Sequence, residues 1–221
     1  MGNEPGDREQ LRFVGESTAI RFYDPEDPED LKRMEETIID KSVVNFIEEI
    51  DELDATDIKR WLTRYHDKRR TKKWEVCYMV SGSKNVKPEE VGEIQGFINF
   101  YPDEESRELV PESFRDKKTI VGIGYGRYPK SRPGQISGAI RQACVEINKM
   151  KGISEDNDTP DMVIVALVRE DNIASAKTVE DACFDNQGTV EVDGEKDHLY
   201  ILNWEKLNNR LHSQADKILV N

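Results

Sequence analysis

Cysteine, histidine and long apolar runs are all scarce in this chain, and each scarcity excludes something. The 221 residues include three cysteines and three histidines. Cys77, Cys144 and Cys183 are odd in number, far apart and set among apolar neighbours, so neither a disulfide framework nor a Cys-x-x-Cys metal site is indicated. They read as small buried hydrophobes in a reducing compartment, and no metal site is expected. His66, His198 and His212 lack any partner spacing and read as ordinary surface or core residues. The apolar runs are strand-sized, well short of the roughly 20 residues a membrane span needs. Met1 to Gln10 is polar and unlike a signal peptide, so the expectation is a soluble cytoplasmic protein with no membrane partner. No Gly-x-Ser-x-Gly, Gly-x-x-x-x-Gly-Lys or His-Glu-x-x-His occurs, which argues against esterase, nucleoside triphosphatase and metalloprotease chemistry.

Positive charge is the minority sign. Lys and Arg number 32 against 45 Asp and Glu, a formal charge of -13, so stable nucleic-acid binding is not expected. The acidic excess itself reads as a solvated surface. The one strongly basic run, Lys68-Arg69-Arg70-Thr71-Lys72-Lys73, lacks interleaved aromatics for base stacking and reads as a solvated loop.

What is present is an ordered series of short periodic segments, and 36% hydrophobic residues suffice for a core. Residues 1–16, rich in Gly, Pro and charge, read as a disordered tail, 17–204 as a single domain, and 205–221 as a C-terminal helix or tail. Ser17 to Tyr23 alternates as a strand does. Asp24-Pro-Glu-Asp-Pro-Glu-Asp stops it and supplies acids to the first turn of a helix from Pro28 to Ile39. Helical spacing continues through Ser42 to Tyr65, an apparent insertion after the first strand. Trp74 to Ser81 and Glu93 to Tyr101 read as an antiparallel hairpin, with Gly96 marking a bulge or a close backbone approach. Tyr101 to Lys118 reads as a charged surface loop.

Thr119 to Tyr128 is a strand carrying Gly122, Gly124 and Gly126. Interior strand glycines weaken a sheet, and a ligand lying against the backbone is the expected reason for them. Asp161 to Val168 reads as a strand buried on both faces. A helix follows, capped near Asp171-Asn172, with Ile173, Ala176, Val179 and Cys183 on its inner face. A polar turn over Asp185 to Gly188 then leads to a hairpin of Thr189 to Val192 and His198 to Trp204, whose apolar second strand could extend across a homodimer.

The chemistry concentrates in Tyr125 to Lys151, a strand end, a loop with two prolines and several small residues, and a helix. A helix opening out of such a loop presents N–H groups with no intrahelical partner, which together with the helix dipole form an anion site. The loop is therefore the expected phosphate-binding segment.

This order of elements resembles the GNAT superfamily of N-acetyltransferases from about Thr18 to Trp204. Two segments carry the resemblance. Arg127-Tyr128-Pro129 lies on the family's Val-x-Pro, and Arg132-Pro-Gly-Gln135-Ile-Ser137 lies on its Arg/Gln-x-x-Gly-x-Gly/Ala pyrophosphate loop, with Gln135 and Ser137 in place of glycines. A three-residue slide would instead begin the loop at Gln135 and recover Gly138. In the family's later Asn-x-x-Ala/Ser-x-x-x-Tyr-x-x-x-Gly-Phe helix, Asn172, Ser175 and Phe184 match, while Val179 stands at the tyrosine and Cys183 at the glycine.

The resemblance implies a mixed, mostly antiparallel α/β (α+β) sheet flanked by helices. It also implies acetyl-CoA as cosubstrate and transfer to a primary amine of a small molecule or peptide. The cofactor-binding candidates are Tyr125, Arg127, Arg132, Pro133, Gly134, Gln135, Ile136, Ser137, Gly138, Asn172 and Ser175. An amine must lose its proton before it attacks, and the oxyanion needs a donor, which backbone N–H groups of Tyr125 to Arg127 would supply. Tyr125 and Glu170 are the catalytic candidates. Loss of the loop glycines and of the helix tyrosine leaves open an alternative, a degenerate module that binds coenzyme A or a protein partner.

Overall fold

The computed structural model describes residues 12–14, 18–24, 27–39, 76–82, 93–117, 119–128, 135–149 and 162–219. The expected helical insertion after Ile39, the basic run Lys68 to Lys73 and the loop residues 129–134 lie outside them. The described elements are β1 (Arg12–Val14), β2 (Thr18–Phe22), α1 (Pro28–Ile39), β3 (Val76–Gly82), β4 (Glu93–Pro102), a 3₁₀ turn (Glu105–Glu108) and α2 (Glu112–Arg115). They continue with β5 (Thr119–Arg127), α3 (Gln135–Lys149), β6 (Met162–Arg169), α4 (Ile173–Asp181), β7 (Phe184–Val192), β8 (Glu195–Leu202) and α5 (Trp204–Leu219). The strands form one eight-stranded sheet in the order β1-β2-β3-β4-β5-β6-β8-β7. Every neighbouring pair is antiparallel except β5 and β6. That is the mixed, mostly antiparallel architecture expected, with β1 added at an edge where the sequence reads as a tail: Arg12 to Val14 pairs with Ile20 to Thr18.

Local chemistry accounts for the boundaries. Asp27 Oδ1 accepts the Glu29 N–H at 2.9 Å and Pro28 occupies the first helical position, so α1 starts there. Asp30, wholly buried, is bridged by both terminal nitrogens of Arg21 and also accepts the Asp24 N–H at 2.9 Å, pinning α1 to β2. Gln95 is the extra residue of a bulge, since Val80 pairs with Gly96 while Ser81 pairs with Ile94.

Several expected boundaries differ. The segment after Tyr101 holds the 3₁₀ turn and α2, because Val110 and Ser106 bury themselves beneath it. β7 begins at Phe184 instead of Thr189, passing the polar residues through a bulge between Asn186 and Gly188. The hairpin turn tightens to Asp193 and Gly194, both at positive φ, so the second strand starts at Glu195. Trp204 opens α5, and Trp204, Leu207 and Leu211 pack into the main core, joining this helix to the domain.

The main core lies between one sheet face and α3, α4 and α5, with Phe100, Ile98, Ile140, Ile147, Ile164 and Tyr200 among its buried members. A smaller cluster of Val110, Ile120, Val163, Val165, Leu199 and Ile201 occupies the other face beneath α2. Cys77, Cys144 and Cys183 are buried free thiols. No described helix is long and apolar enough to cross a membrane.

Candidate functional site

The sheet's single parallel pair is short. Thr119 to Gly122 pair with Met162 to Val165, and there the ladder stops. β5 runs on through Arg127 while still paired to β4 as far as Gly96, and β6 runs on through Arg169 while paired to β8. Each strand is held by its outer neighbour, so the two part into a wedge. Along it, the inner backbone edge of Ile123 to Arg127 has no strand partner in β6. An edge of that kind can pair with another extended chain bearing amide groups.

The helix expected to hold a phosphate begins at Gln135, near the wedge's open end. A methyl group on Gly96 would lie 2.8 Å from Ile136 Cδ1 and 3.2 Å from Arg127 Cα, so the first turn of α3 sits directly over the β4–β5 pairing. Gln135, Ile136, Ser137 and Gly138 form that turn, and Ile140 is fully buried in the core. A loop register starting at Gln135 would thus lie wholly inside the helix, which favours the gapless register starting at Arg132. Gly138 is a helical residue, not a loop glycine. The side-chain oxygen of Gln135 is buried with no hydrogen-bond partner among the described residues. Arg127 is exposed at the end of β5. Arg132, Pro133 and Gly134 fall outside the described residues.

Asn172 is the N-cap of α4, its Oδ1 accepting the Ser175 N–H at 3.1 Å. Ser175 is in turn the contact of Tyr125, whose hydroxyl lies 3.1 Å from the Ser175 carbonyl oxygen and 2.5 Å from Ser175 Oγ. The Tyr125 side chain therefore reaches from β5 to the first turn of α4, across the face of the wedge. Burial pushes its phenol well above the ordinary value, the Ser175 hydrogen bond offsets this in part, and the nearby Tyr200 phenol adds to it. A phenol so raised stays protonated, which removes Tyr125 from the list of general bases. Glu170 is exposed in the turn after β6, its N–H bonded to the Lys196 carbonyl at 3.2 Å. Nothing brings Glu170 and Tyr125 together.

The glycines of β5 have a different explanation from the one expected. Gly122, Gly124 and Gly126 pair with Tyr101, Asn99 and Phe97 of β4. A Cβ at each glycine would run into that partner's side chain. The space beside β5 on this face is thus taken by β4 side chains instead of a ligand. The Ile173 side chain, expected inside, is 77% exposed at the N-terminal end of α4.

Sequence reasoning missed two groupings. Tyr200 of β8 is buried with its hydroxyl 3.3 Å from Glu180 Oε1. On the opposite face, the Arg33 guanidinium lies 4.7 Å from the centre of the Tyr128 ring. Glu36 accepts from the Tyr128 phenol, which holds the carboxyl below its usual range and raises the phenol. Neither has a signal in sequence, because spacing along one segment carries no information about a partner from another.

This sheet, opened between its two parallel strands beside a helix N-terminus, is the fold of the GNAT acetyltransferases. Among solved structures, an uncharacterized protein from Bacillus halodurans matches with a TM-score of 0.63 at 14% identity over 93% of this chain and 95% of that one. Aminoglycoside acetyltransferase AAC(6')-Ib, in complex with paromomycin and acetyl-CoA, matches with a TM-score of 0.59 at 15% identity over 88% and 97%. RimL, the ribosomal L7/L12 α-N-protein acetyltransferase in complex with coenzyme A, matches with a TM-score of 0.59 at 14% identity over 87% and 97%. No family model and no curated protein matches the sequence.

Proposed function

We propose that this chain is an acetyl-CoA-dependent N-acetyltransferase that moves an acetyl group to a primary amine by direct attack in a ternary complex. The observation that carries the reading is the parting of β5 from β6 after Gly122 and Val165, beside the first turn of α3. Support comes from the neighbours of the same fold that hold coenzyme A or acetyl-CoA together with a small-molecule or protein acetyltransferase activity.

The free inner edge of Ile123 to Arg127 suits the amide-bearing pantetheine arm. The N–H groups of Gln135, Ile136, Ser137 and Gly138 suit the diphosphate, with Arg132, Pro133 and Gly134 in the preceding loop. The orphaned Gln135 oxygen at that turn calls for a donor from outside the described residues. Asn172 fixes the first turn of α4, and Ser175 holds Tyr125 at the wedge. When bound, acetyl-CoA supplies an activated acyl group. A backbone N–H of Tyr125 to Arg127 would stabilise negative charge on the acyl oxygen.

Calorimetry with acetyl-CoA, a melting scan with and without it, and a thiol-release assay on a panel of primary amines test the reading. Micromolar binding with turnover of at least one amine is expected. Binding without turnover on any amine would favour the degenerate module, to which Val179 at the family's tyrosine position points. No binding at all would refute the acetyl-transfer reading and leave only a module that binds a protein partner.

A further inference from the structure

The chain that enters α3 leaves the sheet at Tyr128 and is described again from Gln135. Both ends rest on one β-bulge. The Tyr128 N–H donates to the carbonyl oxygen of Gln95 at 2.8 Å, and Ile136 lies over the neighbouring Gly96. One backbone bond fixes where the chain departs and leaves its direction to the side chain. That side chain is buried, at 6% exposure, and is held by α1 on the face opposite α3. The Arg33 guanidinium covers the Tyr128 ring at 4.7 Å from its centre, and Glu36 accepts from the phenol. Three residues apart, Arg33 and Glu36 share one face of α1, so a single helical turn grips ring and hydroxyl together. A cation over an aromatic face is attracted to it, more strongly where water is kept out.

A guanidinium close to a phosphate loop could also hold the phosphate itself, but the contacts of Arg33 argue against it. Its Nε meets Glu29 Oε1 at 2.7 Å and a terminal nitrogen meets Glu36 Oε2 at 3.1 Å, so two carboxylates offset its charge while its face lies on Tyr128. α1 is in turn tied to β2 through Asp30 and Arg21. The cluster is a strut between a fixed helix and the root of the loop.

Resting on the acetyl-transfer reading above, we propose that Arg33 is a positioning residue for the coenzyme diphosphate: through the Tyr128 ring it aims the chain toward the first turn of α3 without touching the ligand. A chain already aimed loses less freedom when the diphosphate arrives, so the strut acts on affinity. The Ile123 to Arg127 edge is laddered to β4 independently of α1, so the pantetheine arm should not feel the loss of the strut.

The test does not depend on knowing the acceptor. Calorimetry on the full chain compares coenzyme A with pantetheine, the same thiol arm without the diphosphate, for the wild type, Arg33→Gln, Tyr128→Leu and the double variant. Each single change is expected to weaken coenzyme A about tenfold, and the double variant to lose no more than about twofold beyond either, because the two residues act as one device. All three should bind pantetheine as the wild type does. Tyr128→Phe keeps the ring beneath Arg33 and should stay within about threefold of the wild type. The weakening in Arg33→Gln should be alike at about 0.05 M and 0.5 M salt, since no phosphate contact is removed. With any amine that is turned over, Arg33→Gln should raise KM for acetyl-CoA about tenfold at unchanged kcat. The double variant and the salt comparison decide the matter even where pantetheine binds too weakly to measure. Undiminished coenzyme A binding in both single variants, equal weakening of coenzyme A and pantetheine, or a loss confined to low salt overturns the positioning role alone. Absence of coenzyme A binding by the wild type overturns the acetyl-transfer reading on which it rests.

Discussion

Replacing Gly96 by alanine should destabilise this protein far more than its one added methyl suggests. The new Cβ would be built onto the carbonyl oxygen of Gly126, with Ile136 Cδ1 at 2.8 Å and Arg127 Cα at 3.2 Å. Two of these three neighbours are β5 backbone, and β5 is laddered to β4 from Gly96–Arg127 to Pro102–Val121. Relief therefore requires the strands to separate, because no rotamer change moves a backbone atom. Overpacking a tight interior costs about 1–3 kcal/mol, and a backbone obstacle belongs at the upper end. Restricting the unfolded chain by Gly→Ala returns roughly 0.4–1 kcal/mol. The net loss is about 2 kcal/mol, which for a chain of this size lowers Tm by about 4–8 °C. Calorimetry or thermal circular dichroism reads it directly. Gly122→Ala is the control: its Cβ meets the ring of the part-exposed Tyr101, the far end of a side chain that can swing, so its loss should be less than half as large. A Gly96→Ala protein melting within 1 °C of the wild type, or less damaged than Gly122→Ala, would refute the reasoning.

Three further outcomes can be checked by denaturant or thermal melts. Arg21→Met leaves the wholly buried Asp30 carboxylate without its guanidinium and should cost about 3–5 kcal/mol, more than half of it recovered in Arg21→Met/Asp30→Leu; equal losses in single and double variants would contradict this. Cys183 sits at φ 75 just past the end of α4, so Cys183→Gly should be more stable than Cys183→Ala by about 1 kcal/mol, the reverse of the usual order. Asp197 is raised chiefly by burial, partly countered by Arg169 and reinforced by Glu195, and its Oδ1 lacks a partner among the described residues. A carboxyl whose folded value lies above its unfolded one costs stability at neutral pH and nothing once pH falls below the unfolded value. Asp197→Asn should therefore raise Tm at pH 7 and give no advantage below about pH 4; an advantage that persists at pH 3 would assign the effect to something other than charge.

Elements whose cause is local are legible in consecutive residues alone. α1 begins at Pro28 because an aspartate, a proline and two acids stand in cap order, and α4 is capped by Asn172 because a short side-chain acceptor precedes its free N–H groups. The continuous apolar run of β6 announced a strand buried on both faces, and the small-residue loop before α3 announced the start of a helix. The same local rule placed Gly96 at both a bulge and a close approach.

Features that depend on a partner far along the chain emerge once the sheet is assembled. The β5 glycines look like a ligand's imprint until Tyr101, Asn99 and Phe97 are seen lying across them. Arg12 to Val14 becomes a strand because β2 offers an unpaired edge, which composition cannot register. Tyr125 meets Ser175 across fifty residues of sequence, and the wedge it spans exists because two parallel strands are each laddered to a different outer neighbour. Caps and periodicities are free-energy preferences of a few consecutive residues and survive in the one-dimensional string. A gap between strands is a property of the sheet they share, and has no residue of its own.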